Sequence, residues 1–309
     1  MATLIPFLLA AGIALRIPGA RWGHWAAGLL AGLFLQVTVN LLNTWGDERN
    51  GVDGVPGAFR STPQVHDGLI SMRAVLTMAL SALALATLIG IPLCFSPDAD
   101  GPNADSALLA LGLCGVLGST NYSTGVKFKY RGLGVPFVSI LMGPLELLAA
   151  LLLLVSPDAR GLQPAFISLS LLSPGFILLS LPIAALVGVV MHGNDMRDIR
   201  SDREAGIVTL ASRLGPKHAL SYYRICHLLP YAISCLWALI ALLHRPNDIL
   251  SIGPWLPLLA FPLSMRTIGV SARVYRSNPA RPPWFGLERE SGKVLLAYGL
   301  LYAISFALR

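Results

Sequence analysis

The 309 residues are 54% hydrophobic and only 13% charged, with a mean hydropathy of +0.65 and a formal net charge of +7. A soluble domain carries about 25% charged residues, so this composition excludes an ordinary soluble enzyme. In a chain this apolar the basic excess reads as the positive-inside bias of a membrane protein, not as a nucleic-acid surface.

Apolar residues recur with helical period, which selects helices over a barrel. The expected fold is an all-α membrane protein: about nine transmembrane helices bundled around a central cavity, in one integral-membrane domain over residues 1–309. The spans are placed at roughly 2–17, 22–44, 69–94, 104–122, 134–155, 165–192, 217–243, 249–272 and 292–308, each near the ~20 residues a bilayer requires. The first apolar run has no basic region before it, so no cleavable signal peptide is expected.

The connections alternate in charge. Those after the second, fourth, sixth and eighth spans hold Arg49 and Arg60, then Lys127, Lys129 and Arg131, then Arg197, Arg200, Arg203, Arg213 and Lys217, then Arg273, Arg276, Arg281 and Arg289. The opposite loops are sparse: 97–105 has no Lys or Arg, and 156–163 has only Arg160. This asymmetry puts the charged loops and the N-terminus in the cytoplasm, with Arg16 and Arg21 on the wrong side of the scheme. The localisation expected is a multipass protein of a bacterial inner membrane with its active site on the cytoplasmic side.

The second span ends in Asn43-Thr44-Trp45-Gly46-Asp47-Glu48-Arg49-Asn50-Gly51-Val52-Asp53, and the sixth in His192-Gly193-Asn194-Asp195-Met196-Arg197-Asp198-Ile199-Arg200-Ser201-Asp202-Arg203-Glu204-Ala205-Gly206. Together these segments hold seven of the sixteen acidic residues, so the acid is concentrated at two matching places. Asn43 and Asp47 lie at i, i+4, and Asp195, Asp198 and Asp202 at i, i+3, i+7, so each set shares a helical face. Carboxylates on one face repel unless a cation lies among them, and Mg²⁺ is commonly held by one or two carboxylates with substrate phosphates. Asn43, Asp47 and Asp53 can supply oxygens to one cation, and Asn194, Asp195, Asp198 and Asp202 to a second. Two such cations would clamp a diphosphate. The plainer reading is a solvated loop edge with each carboxylate paired to a neighbouring arginine. Two clusters at corresponding positions on one membrane side argue against it.

The connection Asn121–Gly134 carries Lys127, Lys129 and Arg131, candidates for phosphate oxygens. Tyr122 and Tyr130 are candidates for shielding a cation or contacting an aromatic ring. A positive-inside anchor explains this loop equally well. Arg60, in a Gly/Pro-rich loop, is a further candidate for phosphate or acceptor. His192 reads as a surface or capping residue, and Cys94, Cys114, Cys226 and Cys235 as buried thiols without ligand spacing. No Walker loop, dinucleotide glycine motif, nucleophile elbow or zinc pattern is present.

These residues resemble the UbiA superfamily of membrane prenyltransferases, marked by Asp-rich motifs at the ends of the second and sixth spans. Asn43-x-x-x-Asp47 followed by Gly51-x-Asp53 is similar to the first motif. Asn194-Asp195-x-x-Asp198-x-x-x-Asp202 with Arg203-Glu204-Ala205-Gly206 is similar to the second. The closer likeness is to the 1,4-dihydroxy-2-naphthoate polyprenyltransferases of menaquinone synthesis, through the spacing of the first motif, Lys129-Tyr130-Arg131-Gly132-Leu133-Gly134 and Thr209-Leu210-Ala211. The chain departs from that branch at Thr44, at Val135-Pro136 and in lacking a basic Arg-Pro segment before the first span.

The resemblance implies Mg²⁺-dependent transfer of an isoprenyl group from an allylic diphosphate to an aromatic acceptor, with 1,4-dihydroxy-2-naphthoate the acceptor of the nearest branch. Asp47, Asp198 and Asp202 are the expected catalytic residues. Asn43, Asp47, Asp53, Asp195, Asp198 and Asp202 are the expected metal ligands. Asn43, Arg60, Tyr122, Lys127, Lys129, Tyr130, Arg131 and Asn194 are the expected substrate contacts. The partners are the prenyl diphosphate, the aromatic acceptor and the lipid bilayer, with no nucleic acid. Two rivals stay open: a terpene cyclase or specialised prenyltransferase on the same scaffold, and a cation-coupled transporter. A transporter calls for ionisable groups near mid-span, whereas these carboxylates gather at span ends.

Overall fold

A computed structural model describes residues 2–15, 17–51, 62–98, 101–155, 173–244, 253–279 and 283–308. The chain is helical nearly throughout. In order come α1 (Leu4–Ala14), α2 (Trp22–Arg49), a single turn α3 (Pro63–His66), α4 (Met72–Leu93), α5 (Ser106–Asn121), α6 (Gly134–Ile140), α7 (Glu146–Leu154), α8 (Pro174–Glu204), α9 (Leu210–His244), α10 (Phe261–Ser277) and α11 (Leu287–Ala307). A π-helical turn, Leu141–Leu145, joins α6 to α7 as one rod, and a 3₁₀ segment, Gly253–Ala260, leads into α10.

The helix starts are written in local chemistry. Ser71, Asp105 and Ser173 each accept the amide three residues on, at 3.1, 3.1 and 3.2 Å, as N-caps of α4, α5 and α8. Pro174 occupies the first position of α8, where a missing N–H costs nothing.

Among the described residues five helical rods are long and apolar enough to cross a membrane: Trp22–Arg49, Met72–Leu93, Gly134–Leu154, Pro174–Glu204 and Leu210–Ile240. Their outward faces carry bare apolar side chains such as Met78, Leu88, Ile140, Ile177 and Ile225, as expected where lipid rather than water is the solvent. The inner faces of α1, α7, α8 and α11 meet in a core of Ile5, Leu9, Leu147, Leu151, Phe176, Leu186 and Val294. A buried polar seam binds α9 to α10 and α11. In it Tyr223 Oη and Ser291 Oγ lie 2.7 Å apart, Tyr231 Oη and Ser264 Oγ 2.8 Å, and Ser234 Oγ and Tyr298 Oη 2.7 Å.

Several expectations are corrected. The sixth helix does not stop at the expected boundary of 192: α8 runs on through the acidic segment to Glu204 and so keeps Asp195, Asp198 and Asp202 on a helix, as their spacing required. The seventh helix begins at Leu210 and kinks at Gly215, whose φ of 71° needs glycine. A short hairpin, β1 (Phe95–Asp98) with β2 (Gly101–Ala104), caps the α4–α5 connection where a plain loop was expected. Cys94 and Cys226 are buried, but Cys114 and Cys235 are exposed on apolar helix faces. His192 is fully buried, not a surface residue: its Nε2 lies 3.0 Å from the carbonyl oxygen of Ala219 and joins α8 to α9.

Candidate active site

The C-terminal ends of α2 and α8 come together at one end of the bundle, and the α5–α6 connection is laid across them. Three contacts fix that connection. Ser123 Oγ donates to the Leu42 carbonyl at 3.1 Å. Gly46 allows the approach, since a Cβ there would sit 3.0 Å from the Ser123 carbonyl oxygen. On the other side Arg213 donates to the Arg131 carbonyl at 2.9 Å, and Arg131 forms a parallel bridge with Val208 at the α8–α9 junction.

This clamped loop delivers Lys129 into the acid. Its Nζ donates to both Asp47 oxygens at 2.8 and 2.7 Å and to Asn43 Oδ1 at 3.0 Å. Tyr130 Oη donates to Asp47 Oδ1 at 2.7 Å, and Asn43 Nδ2 to Asp47 Oδ2 at 2.9 Å. Asp47 is only 6% exposed. Burial opposes the Lys129 charge, but Asp47, with smaller contributions from Asp202 and Asp195, outweighs it and holds the ammonium above its ordinary value. The Tyr122 phenol is pushed well up by burial, then by Asp195, Asp47 and Asp202. Both acidic segments therefore act on the same two side chains of the connecting loop.

On α8 the three aspartates have different surroundings. Asp198 is gripped by Arg197, whose Nε and Nη2 donate at 2.8 and 2.6 Å while Nη1 reaches Glu288 at 3.3 Å. Asp202 accepts from Thr209 Oγ1 at 3.2 Å. Asp195 is buried, and no described donor reaches its carboxylate. Among the described residues Lys129 pairs with Asp47, and Arg197 is shared between Asp198 and Glu288.

Not every candidate converges. Lys127 turns to Asn50, 2.8 Å away, holding a left-handed φ of 59°. Arg131 is exposed, and its backbone serves the loop clamp. Asp53 and Arg60 fall outside the described residues. Sequence reasoning quoted Thr209 only in the resemblance and gave no site role to it, just before α9 and bonded to Asp202, and it missed Glu288, which ties α11 to Arg197. Thr209 had a signal in its N-capping residue type; Glu288 had none.

Among the described residues no three His, Cys, Asp or Glu side chains form a ready-made metal cage. Lys129 bonds Asn43 and Asp47, two of the three residues expected to hold the first cation. The buried Asp195 beside Asp202 suits Mg²⁺, which takes hard oxygens from one or two carboxylates and completes its shell with phosphate and water.

Below the acids lies a cavity of about 480 Å³. Asn43, Tyr122 and Asn194 line its acidic end. Its wall follows α2 down to Gly28, with Leu111, Leu141 and Leu153 opposite. Asn43 to Gly28 is about 22 Å along a helix axis, so the cavity runs lengthwise through the bundle.

The sequence pattern of the UbiA prenyltransferase family matches residues 3–286. The chain belongs to that family. Among curated relatives, UbiA prenyltransferase domain-containing protein 1 of Gallus gallus is 28% identical, the match covering 99% of this chain and 81% of the relative. The 1,4-dihydroxy-2-naphthoate octaprenyltransferase of Bacillus subtilis is 27% identical over 76% of this chain and 68% of its own. Among solved structures, the apo UbiA homolog from Aeropyrum pernix K1 superposes with a TM-score of 0.61 at 17% identity, covering 98% of this chain and 95% of the other. The UbiA homolog from Archaeoglobus fulgidus bound to DMAPP and Mg²⁺ gives 0.51 at 18% identity, covering 98% and 96%. As a UbiA family member the protein is a multipass intramembrane prenyltransferase, and these neighbours share its all-helical fold.

Proposed function

We propose that this UbiA protein transfers an isoprenyl group from an allylic diphosphate to an aromatic acceptor, with 1,4-dihydroxy-2-naphthoate the leading acceptor. The observation that carries the reading is the meeting of Lys129 with Asp47 at the mouth of a long apolar cavity, beside the buried Asp195. The Archaeoglobus fulgidus relative, bound to DMAPP and Mg²⁺, supports the donor class and the metal. The Bacillus subtilis relative supports the acceptor.

Asp195 and Asp202 would hold one Mg²⁺, with Asp198 at its edge; Asn43 and Asp47 would share a second with Asp53. When bound, Mg²⁺ neutralises charge on the diphosphate and eases its departure. Lys129 contributes a fixed ammonium at the same place, and Tyr130 orients the Asp47 carboxylate that holds it. Tyr122 and Asn194 line the cavity where the allylic carbon lies, and the apolar wall below keeps water from the cation formed as the C–O bond breaks. The leaving oxygen keeps the bonding electrons. The acceptor's electron-rich ring carbon then forms the new C–C bond and loses a proton, or CO₂ where that carbon bears a carboxylate. Residues 1–309 act as one domain, with the charged end in the cytoplasm of a bacterial inner membrane.

The test is diphosphate release by the detergent-solubilised chain from allylic diphosphates, with and without Mg²⁺ and candidate acceptors, followed by mass spectrometry. A prenylated aromatic product formed only with Mg²⁺ is expected. A cyclised hydrocarbon formed without acceptor selects the cyclase, and absence of Mg²⁺-dependent release at any chain length removes the enzyme reading.

A further inference from the structure

Glu288 stands in the first turn of α11, far along the chain from α8. Local features fix where that turn begins. Trp284 is buried, and its Nε1 donates to the Ser271 carbonyl at 3.4 Å. Gly286 takes a φ of 78°, a left-handed conformation that glycine adopts without strain, and the helix starts at the next residue. Tyr223 Oη then donates to the Leu287 carbonyl at 3.4 Å. The first turn of α11 lies directly on α8: a Cβ on Gly193 would come 3.0 Å from the Glu288 amide nitrogen and 3.2 Å from its Cα. Gly193 and Arg197 are i, i+4 on one face of α8, so this close approach delivers the Glu288 side chain to Arg197. Glu288 Oε1 lies 3.3 Å from Arg197 Nη1.

The Arg197 side chain is only 8% exposed. Its Nε and Nη2 fork onto both oxygens of Asp198 at 2.8 and 2.6 Å, while Nη1 faces Glu288. A fork of this kind fixes the plane of a carboxylate as well as its position. Each Asp198 oxygen keeps a second lone pair, so a cation can still approach it. Charge balance matters as much as direction. Arg197 and Asp198 alone would cancel, and a neutralised carboxylate attracts a divalent cation poorly. Glu288 returns one negative charge to the group. Its second oxygen, Oε2, is buried with no hydrogen-bond partner among the described residues, which leaves the charge there to act on Arg197. Carboxylates that ligate metals are commonly oriented by such outer partners, whose loss weakens metal binding about 10- to 100-fold.

We propose that Glu288 is a positioning residue for Mg²⁺: it anchors Arg197, and through Arg197 it sets the direction and preserves the negative charge of Asp198 at the edge of the α8 metal site. Glu288 itself touches neither metal nor diphosphate. The inference rests on the reading of Asp195, Asp198 and Asp202 as that site.

The experiment titrates Mn²⁺, a spectroscopic stand-in for Mg²⁺, into the whole chain in detergent with a non-hydrolysable allylic diphosphate analogue, and follows bound metal by electron paramagnetic resonance. Glu288→Gln keeps the shape and removes the charge. It should raise the Mn²⁺ dissociation constant about tenfold or more, and the Mg²⁺ concentration for half-maximal turnover should rise by the same factor. A merely structural tie between α8 and α11 would lower the thermal midpoint in chelator and leave the Mn²⁺ constant alone. If Glu288→Gln misfolds, Arg197→Lys, which keeps the charge and gives up the fork onto Asp198, must raise the constant in its place. A wild-type Mn²⁺ constant in the folded variant, whatever its midpoint, overturns the role of Glu288 and leaves prenyl transfer standing. Wild type that binds no Mn²⁺ beside the analogue overturns the metal reading of α8, and this inference with it.

Discussion

Lys129 Nζ straddles the Asp47 carboxylate, donating to its two oxygens at 2.8 and 2.7 Å across 82 residues of chain. Both side chains are largely buried, at 17% and 9% side-chain exposure. The pair joins the α5–α6 connection to the end of α2. A buried carboxylate stripped of its cation is left uncompensated, which is far costlier than loss of a surface pair. Lys129→Ala should therefore lower the thermal midpoint in chelator, and Mg²⁺ should recover part of the loss by taking the ammonium's place against Asp47. KM for the allylic diphosphate should rise at least about tenfold. A variant indifferent to Mg²⁺ with an unchanged KM would reduce the loop to a topological anchor.

The charge of Lys129 also has a pH signature. Its folded value is raised above 10.5, so the folded state binds its proton more tightly than the unfolded chain does. The stability this adds is fully present below pH 10.5 and disappears as pH climbs through the higher folded value. The difference in thermal midpoint between wild type and Lys129→Met should accordingly be flat from neutral pH to about 10 and narrow only above 10.5. Narrowing that begins near neutrality would contradict the assignment.

Asp47→Ala and Asp198→Ala should each reduce Mg²⁺-dependent diphosphate release by about a hundredfold or more, with the protein still monodisperse and helical. The two should differ in side effects. Asp198→Ala also removes the carboxylate that holds Arg197 beside Glu288, so the α8–α11 contact should loosen and hydrogen exchange near Glu288 should rise. Full activity in either variant would remove that carboxylate from the machinery.

Chelation separates metal from fold. Removing divalent cations from wild type should abolish turnover and leave helical content intact, because the core of α1, α7, α8 and α11 is built from apolar side chains remote from the acids. Circular dichroism and product assay on the same sample check both halves.

The π turn should be sensitive to one methyl group. A Cβ on Gly143 would lie 2.7 Å from Ala184 Cβ and 2.8 Å from its Cα, against backbone that cannot retreat. Gly143→Ala should cost about 1–3 kcal/mol by overpacking and lower the thermal midpoint measurably. Gly90→Ala, on the cavity wall with nothing within 4 Å, should be close to neutral. Equal midpoints for the two would mean that α7 and α8 are less closely packed than described.

Composition and helical period alone determined the membrane class, the helical fold and the placing of two acidic segments at one end of the bundle, because burying a lipid-facing backbone leaves a chain this apolar no other way to pair its amides. Residue spacing also marked Asn43, Asp47, Asp195 and Asp202 as neighbours on their own helices, since a 3.6-residue turn is a local rule. Only the tertiary structure decided that Lys129 rather than Lys127 or Arg131 meets Asp47, and that Arg197 is taken up by Asp198 and Glu288. It alone brought the Thr3 hydroxyl of one helix start to Gln36 of α2. These pairings join residues far apart in the chain, and which basic group reaches which acid depends on how helices pack and where a loop is clamped. Neither periodicity nor charge count carries that information.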